Sequence, residues 1–287
     1  MNQPFFTIFT PVYNGEKHIN RVFMSIINQI FKDFEWIIIN DGSTDNSAIL
    51  IKSFIDEHPE ININYIEQNN AGKHISWNTA VEIARGQLFV PADADDYFLP
   101  DTLSFFYNRW NALSSTEQLK LSGINVLCFD NETNNIVGTP FPFDGIKSNN
   151  LELAFKYKIE GEHWGCIRLD FLKTRHFPIV KGSHFPESYL WYHFAKNYQV
   201  ICYNKPLRRY YTTETGIIQS KQYRHNINEA SVVVRYNLWF VKNFWLYILR
   251  NSPKKLYEIA KVTILCTILI IILSVKKSLD IIFLKKY

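Results

Sequence analysis

The sequence predicts an α/β fold, with a doubly wound and mostly parallel sheet in its first part and a helical tail at its end. Short apolar runs alternate with helix-period segments from Phe5 to about Leu113, the rhythm of strands joined by crossover helices. Trp36-Ile37-Ile38-Ile39 is apolar at successive positions, as a strand covered by helices on both faces must be. From about Lys221 onward no clear strand pattern remains and the chain reads as helices.

Taken in order, Phe6-Thr7-Ile8-Phe9 is the first strand, and Ile19, Val22, Phe23, Ile26, Ile27 and Ile30 recur at helical spacing to form one buried face. The run at Trp36 is the second strand. A helix follows it, opening near Ser43-Thr44-Asp45, whose short oxygen-bearing side chains suit a cap, and closing near His58-Pro59. Ile63 to Ile66 and Leu88 to Val90 are further strands, with a helix from about Gly72 to Ala84 between them. Beyond Leu113 the rhythm changes. Residues 123 to 141 read as a strand pair around the polar turn Asp130-Asn131-Glu132-Thr133-Asn134, and Gln199 to Tyr203 as a strand after a helix near Tyr189 to Lys196.

A chain of 287 residues, 47% of them hydrophobic, is long enough for a large core and an appendage. A net charge of +4 leaves no electrostatic footprint for nucleic acid, so no nucleic-acid partner is expected. Cys128, Cys166, Cys202 and Cys266 form no Cys-x-x-Cys pair, which argues against a zinc site or disulfide framework and fits a reducing compartment. The run Phe5 to Phe9 is too short for a secretory signal and leads into Pro11 and Asn14-Gly15, so it reads as the first strand of a cytoplasmic domain.

In an open α/β sheet, ligands bind beyond the carboxyl ends of the strands. Here those ends carry Thr10-Pro11-Val12-Tyr13-Asn14-Gly15, Asn40-Asp41-Gly42-Ser43-Thr44-Asp45, Asn69-Asn70-Ala71-Gly72-Lys73 and Asp93-Ala94-Asp95-Asp96. If the last segment is extended, Asp93 and Asp95 face one side and repel unless a cation sits near them. Such hard oxygen ligands suit Mg²⁺ or Mn²⁺, which takes phosphate oxygens for the rest of its shell. Asp-x-Asp alone is a common chance match, and its place at a strand end is what gives it meaning.

The strings Thr7-Ile8-Phe9-Thr10-Pro11-Val12-Tyr13-Asn14, Ile38-Ile39-Asn40-Asp41-Gly42-Ser43-Thr44-Asp45 and Asp93-Ala94-Asp95-Asp96, in this order and spacing, resemble family 2 glycosyltransferases of the bacterial polysaccharide type. The likeness is strong up to about residue 110 and weaker to about residue 215. It implies a GT-A fold, Rossmann-like, over residues 1–218, and the strand and helix pattern divides the chain into a nucleotide-binding half at 1–113, an acceptor half at 114–218 and a helical tail at 219–287 that is expected to associate with a membrane. It also implies inverting transfer of a sugar from a nucleoside diphosphate donor, a UDP-sugar before a dTDP- or GDP-sugar, to a glycan or lipid-linked acceptor.

By this resemblance Pro11, Tyr13 and Asp41 line the nucleobase and ribose pocket, Asp93 faces the ribose and diphosphate, and Asp95 ligates the metal. The bland role of Asp41 is to shape the Asp-Gly turn. Lys73 is a point charge for the diphosphate or else a solvated loop lysine, and Asn78 is a polar group of the neighbouring helix face. Relatives carry a Glu-Asp pair that supplies the base. In Phe185-Pro186-Glu187-Ser188-Tyr189-Leu190-Trp191 a serine stands at the second position, which leaves Glu187 as the base. Its alternative role is to favour the first turn of the following helix. Asp170 and Glu162 are lesser candidates for the base.

His74, His163, His184 and His193 show no metal-ligand spacing. Trp164 either stacks on an acceptor sugar or is a buried structural ring. Arg208, Arg209 and Tyr211 either approach the donor phosphates or form a solvated edge.

The apolar run Val262 to Val275 is short for a hydrocarbon layer about 30 Å thick. Upstream, Trp239, Phe240, Phe244, Trp245 and Tyr247 mix with Lys242 and Arg250, which suits a helix lying among headgroups. Lys254, Lys255, Lys276, Lys277, Lys285 and Lys286 add attraction to anionic lipid. Interfacial or re-entrant attachment at the cytoplasmic side is the leading reading, ahead of a true span or helices packed in an oligomer or core. Two rivals to the transferase are a nucleotidyltransferase, which lacks here a Gly-rich basic loop near the N-terminus, and an inactive sugar-nucleotide-binding partner, suggested by Ser188.

Overall fold

The parallel strands form where the sequence places them. In the computed structural model, which describes residues 3–180, 185–211 and 227–284, they are β1 (Phe6–Val12), β2 (Phe34–Asn40), β3 (Ile63–Glu67) and β4 (Leu88–Pro91). They lie side by side in the order β3-β2-β1-β4, all parallel. The helices between them are α1 (Ile19–Ile27), α2 (Ser47–Glu57) and α3 (Lys73–Ile83). All seven residues of β2 are buried, as its unbroken apolar run requires. Phe6, Ile8 and Val12 pack with Val22, Phe23 and Ile26 of α1, where Phe23 stacks on Phe54 of α2 at 4.0 Å. On the other face of the sheet Phe9 and Phe89 meet Trp77 of α3 at 5.8 and 5.1 Å. Alternation along each strand thus feeds two cores.

One buried carboxylate ties the amino ends of these strands together. Glu35, 3% exposed, accepts from Thr7 Oγ1 at 2.7 Å, from the Arg85 backbone N–H at 2.6 Å and from Arg85 Nε at 2.8 Å.

The sheet then continues with mixed strand directions. β5 (Tyr97–Phe98), α4 (Thr102–Asn111) and α5 (Ser115–Gln118) lead into β6 (Leu121–Asp130), β7 (Ile146–Ser148) and, after a short π-helix at Glu152–Lys156, β8 (His163–Arg168). α6 (Leu169–Thr174), α7 (Ser188–Phe194) and β9 (Gln199–Tyr210) follow. β8 inserts between β4 and β6, antiparallel to both, and β9 lies parallel to β6 with β5 and β7 antiparallel at its side.

The strand pair expected over 123–141 forms only its first limb, β6. The second limb is reduced to one bridge, Phe129 to Ile136. The Asp130 carboxylate gathers the N–H groups of Glu132 and Thr133 into a tight turn, and Gly138, Pro140 and Pro142 follow, residues that weaken or interrupt a ladder.

By its contacts the chain divides into two compact units. One comprises Met1–Phe177 and Leu190–Thr212, the other Pro178–Tyr189 and Thr213–Tyr287. In the second unit, α8 (Ile227–Asn251) and α9 (Pro253–Leu284) are long helices joined by a hydrogen bond from Asn237 Nδ2 to Thr263 Oγ1 at 3.0 Å. Tyr189 lies 4.6 Å from Trp239, and Phe240 lies 5.3 Å from Phe244. α9 carries through Lys261 without a break, so the apolar run Val262 to Val275 lies within a longer helix. Pro253–Val275, whose most apolar 18-residue stretch has a mean hydropathy of 2.3, is long and apolar enough to cross a membrane by length and composition.

Candidate functional site

Four loops meet at the carboxyl ends of β1 to β4 because the parallel register aligns them. Val12 stands opposite Asn40, and Asn40 opposite Glu67. The first two loops are laced by side chains. Asn14 Oδ1 accepts from the Thr44 backbone N–H at 2.8 Å, the Asn14 N–H donates to Ser43 Oγ at 3.0 Å, and the Gly15 N–H donates to Ser47 Oγ at 2.9 Å. α2 opens at Ser47, after the 43–45 segment expected to cap it, and its cap residue Asn46 makes no side-chain capping bond; Asp45, one residue earlier, takes the Ser47 N–H at 3.0 Å and its hydroxyl at 2.6 Å. Burial pushes the Asp45 carboxyl up, and the Ser47 hydrogen bonds outweigh it, so the group ends below its ordinary value. On this scaffold Pro11 is partly exposed at the end of β1, and Tyr13 is 56% exposed beyond it. A ring held open on a laced loop offers a flat face for a planar ligand.

Asp41 is anchored to the loop before α3. Only 3% exposed, it accepts from Gln68 Nε2 at 2.7 Å and from the backbone N–H groups of Ala71 and Gly72 at 3.0 and 2.8 Å. The carboxylate therefore shapes the loop before α3, while the turn after it is held by Asn40 Oδ1, which accepts from the Ser43 N–H at 3.0 Å. Gly42, at φ 75°, has no room for a side chain, since a Cβ there would lie 2.7 Å from the Asn70 backbone nitrogen.

The acidic segment departs from the extended geometry that alternation assumed. Asp93 to Asp96 is a turn, closed by the Asp96 N–H on the Asp93 carbonyl at 3.0 Å, with Asp96 Oδ2 accepting the Asp93 N–H at 3.3 Å. Asp, with its short acceptor side chain, favours such a turn at the end of a strand. Lys73, at the start of α3, bridges both Asp93 oxygens at 2.7 and 2.8 Å. Burial first, then the Asp93 charge, raises the Asp95 carboxyl above its ordinary value. The Asp95 carbonyl accepts from Arg21 Nη1 at 2.9 Å, and the Arg21 guanidinium lies 3.5 Å over the Tyr211 ring.

Among the described residues no cluster of three or more His, Cys, Asp or Glu side chains could hold a metal alone. A desolvated Asp95 beside Asp93 nevertheless suits a Mg²⁺ or Mn²⁺ ion that completes its shell with phosphate oxygens, which needs only one or two carboxylates.

The structure pairs Asp96 with Arg208, which the sequence did not show, and removes the solvated edge as one of the two readings of Arg208. Asp96 is 5% exposed, and burial pushes its carboxyl up to about 7 against the pull of Arg208. Arg208, 4% exposed rather than on a solvated edge, contacts Asp96 Oδ2 at 3.1 Å, Cys128 Sγ at 3.3 Å and Glu162. The signal that could have found it was an arginine inside an otherwise strand-like run, Gln199 to Tyr210, since a strand in mid-sheet buries alternate side chains.

Other candidates resolve as structural groups. Asn78 exchanges two hydrogen bonds with the Phe177 backbone, both 2.9 Å. Trp164 is buried, stacks on Phe98 at 4.6 Å and donates to the Pro91 carbonyl at 2.7 Å. His74 is buried, and His163 Nε2 pairs with the Thr139 carbonyl at 2.8 Å. Asp170 pairs with Arg168 far from the acidic turn, where both line a cavity of about 760 Å³ with Arg85 and Gln87 at the amino ends of the strands. Arg209 lies 4.6 Å over the Phe129 ring. His184 lies outside the described residues. Glu187 is partly buried just before α7 in the second unit, and the neighbouring Ser188 hydroxyl is 2.7 Å from that of Tyr236.

Residues 7–116 match the model of Glycosyl transferase family 2. Among curated proteins, the chain is 30% identical over 172 residues to a chondroitin synthase of Pasteurella multocida, covering 55% of this chain and 18% of that protein. The chain spans only 41% and 14% of the length of two shorter-range matches, both glycosyltransferases. Among solved structures it is similar to residues 1–349 of S. aureus TarS in complex with UDP-GlcNAc, with a TM-score of 0.63 at 19% identity over 82% of this chain and 66% of that one. It is also similar to the mannosyltransferase PcManGT of Pyrobaculum calidifontis in complex with GDP-Man and Mn²⁺, with a TM-score of 0.60 at 18% identity over 98% and 81% of the chains. At such identities the structures speak for a shared GT-A fold.

Proposed function

We propose, from the premise that this chain is a family 2 glycosyltransferase of GT-A fold, that it transfers a sugar with inversion from a UDP-sugar to a glycan or lipid-linked glycan. The observation that carries this reading is the acidic turn at the end of β4, where Asp93 is bridged by Lys73 and Asp95 is desolvated beside it. Pro11 and Tyr13 offer the face for the base, and Asp41 holds the loop that presents Lys73. Asp95, with Asp93, would hold a divalent cation whose contribution is to neutralise the leaving diphosphate. Lys73 is poised to take up part of the same charge when the diphosphate displaces it from Asp93.

In the transfer, the acceptor hydroxyl oxygen bonds to the anomeric carbon on the face opposite the diphosphate. The bond from that carbon to the diphosphate oxygen breaks, and the hydroxyl proton passes to a carboxylate. Glu187 is the residue assigned as this base, because Ser188 has no carboxyl group to offer. The aromatic and lysine-rich tail, with Pro253–Val275 apolar enough to span, supports attachment at the cytoplasmic face of a membrane and so a lipid-linked acceptor.

The test is binding and hydrolysis of a panel of nucleotide sugars with Mn²⁺, with Mg²⁺ and with chelator, beside Asp95→Ala and Glu187→Gln. One UDP-sugar bound only with metal, binding lost in Asp95→Ala, and turnover alone lost in Glu187→Gln is the expected pattern. Full activity in Asp95→Ala refutes the metal role. Tight donor binding with no turnover on any acceptor replaces the transferase by an inactive sugar-nucleotide-binding partner. Sedimentation with anionic lipid vesicles, compared with a chain ending at residue 252, tests the attachment.

A further inference from the structure

Glu162 and Arg208 form an arrangement that the donor chemistry described above does not use. Arg208 is a buried cation already matched by Asp96, at 3.1 Å and almost equally buried. A second carboxylate, Glu162, closes on the other guanidinium nitrogen. Asp96 and Glu162 share this one guanidinium in a place where neither Arg208 nor Asp96 reaches water, and a carboxylate that must share its counter-ion is costly to bury unless something else satisfies it. Glu162 is the member that faces outward, with 35% of its side chain exposed. Its Oε1 is held by Arg208, and no described residue donates a hydrogen bond to its Oε2.

Glu162 stands just before β8, which runs antiparallel to β4 with Phe89 opposite Ile167, and Arg208 joins it to the acidic turn by contacting Asp96 Oδ2 with one terminal nitrogen and Glu162 Oε1 with the other. Trp164, two residues on, still donates to the Pro91 carbonyl, so the two segments stay together. A carboxylate so close to the turn that takes the diphosphate repels phosphate and is within reach of the group bonded to it. A neutral hydroxyl can satisfy a carboxylate oxygen by a short charge-assisted bond without adding charge.

We propose that Glu162 is a further substrate-contacting residue, accepting a hydrogen bond from a hydroxyl of the donor's sugar, and that Arg208 is the positioning residue that presents it. This rests on the nucleotide-sugar reading and deepens it: the buried clamp from Asp96 through Arg208 sets the sugar-binding carboxylate and the diphosphate-binding turn at one fixed separation.

The experiment compares Kd for UDP, GDP and dTDP with Kd for their hexose conjugates by calorimetry in Mn²⁺, for wild type, Glu162→Gln, Arg208→Met and Arg208→Lys. Glu162→Gln keeps the acceptor atom for Arg208 and so the fold. It is expected to leave nucleotide affinity within about twofold while raising the ratio of conjugate Kd to nucleotide Kd about tenfold, the loss of one hydrogen bond to a charged group. Arg208→Met raises the ratio similarly and Arg208→Lys less. An unchanged ratio in Glu162→Gln overturns the proposal, as does an equal loss for nucleotide and conjugate, which marks a purely structural role. Wild type that binds neither nucleotides nor conjugates refutes the nucleotide-sugar reading itself, a result distinct from an unchanged ratio.

Discussion

Replacing Asp41 by Asn separates loop shaping from ligand binding, because the two roles fail differently. In the native loop Oδ1 takes Gln68 Nε2 and the Ala71 N–H, and Oδ2 takes the Gly72 N–H. Asn can keep the first pair by placing its carbonyl oxygen there, which turns its amide group toward the Gly72 N–H, donor against donor. Hydrogen bonds to a charged acceptor contribute about 1.5–3 kcal/mol, and an orphaned buried N–H costs about 1–3 kcal/mol. Gly72 is only partly buried, so water relieves some of the second cost. The net expectation is about 2–3 kcal/mol lost, or about 4–12 °C in the melting of a unit this size. Urea denaturation followed by circular dichroism measures the loss, with nucleotide affinity measured in parallel. A destabilisation below about 0.5 kcal/mol, within the range of ordinary surface changes, with nucleotide affinity nonetheless lost, refutes the argument and makes Asp41 a ligand contact alone.

Two other perturbations test the frame around the site. Glu35→Ala removes the acceptor shared by Thr7, the Arg85 backbone and the Arg85 guanidinium. Because the Arg85 side chain is 47% exposed and can rehydrate, the expected loss is about 2–3 kcal/mol rather than the upper figures for buried pairs, read as a lower urea midpoint. A midpoint equal to wild type refutes the assigned network. Glu117 is held down to about 2 by Lys147 and then by the Ser114 capping bonds, against an ordinary value of 4.5. A depressed carboxyl contributes stability that is present above the unfolded value and lost as pH falls through the folded one. Glu117→Gln should therefore flatten the fall of the urea midpoint between about pH 4.5 and pH 2 and leave its pH dependence above that window unchanged. The same slope in both proteins refutes the assigned contacts of Glu117 with Lys147 and Ser114.

The sequence by itself determined the parallel half, because local pattern and burial coincide there. The doubly apolar run at Trp36 had to be covered on both faces, the α1 face at Ile19, Val22, Phe23 and Ile26 had to meet it, and strand-end turns in a parallel register had to gather on one edge. Tyr13, Asp41, Lys73 and the aspartates were legible for that reason.

Only the tertiary structure decided the rest, because it depends on partners far away in the chain. β8 has no periodic signature of its own and exists as a strand because β4 and β6 hold it on either side. The acidic segment closed into a turn that alternation along a strand could not anticipate. The Asp41 carboxylate found its partners some 30 positions downstream. Arg208 met Asp96 and Glu162 from 112 and 46 positions away, and no reading of neighbours along a chain can supply a charge pair of that separation.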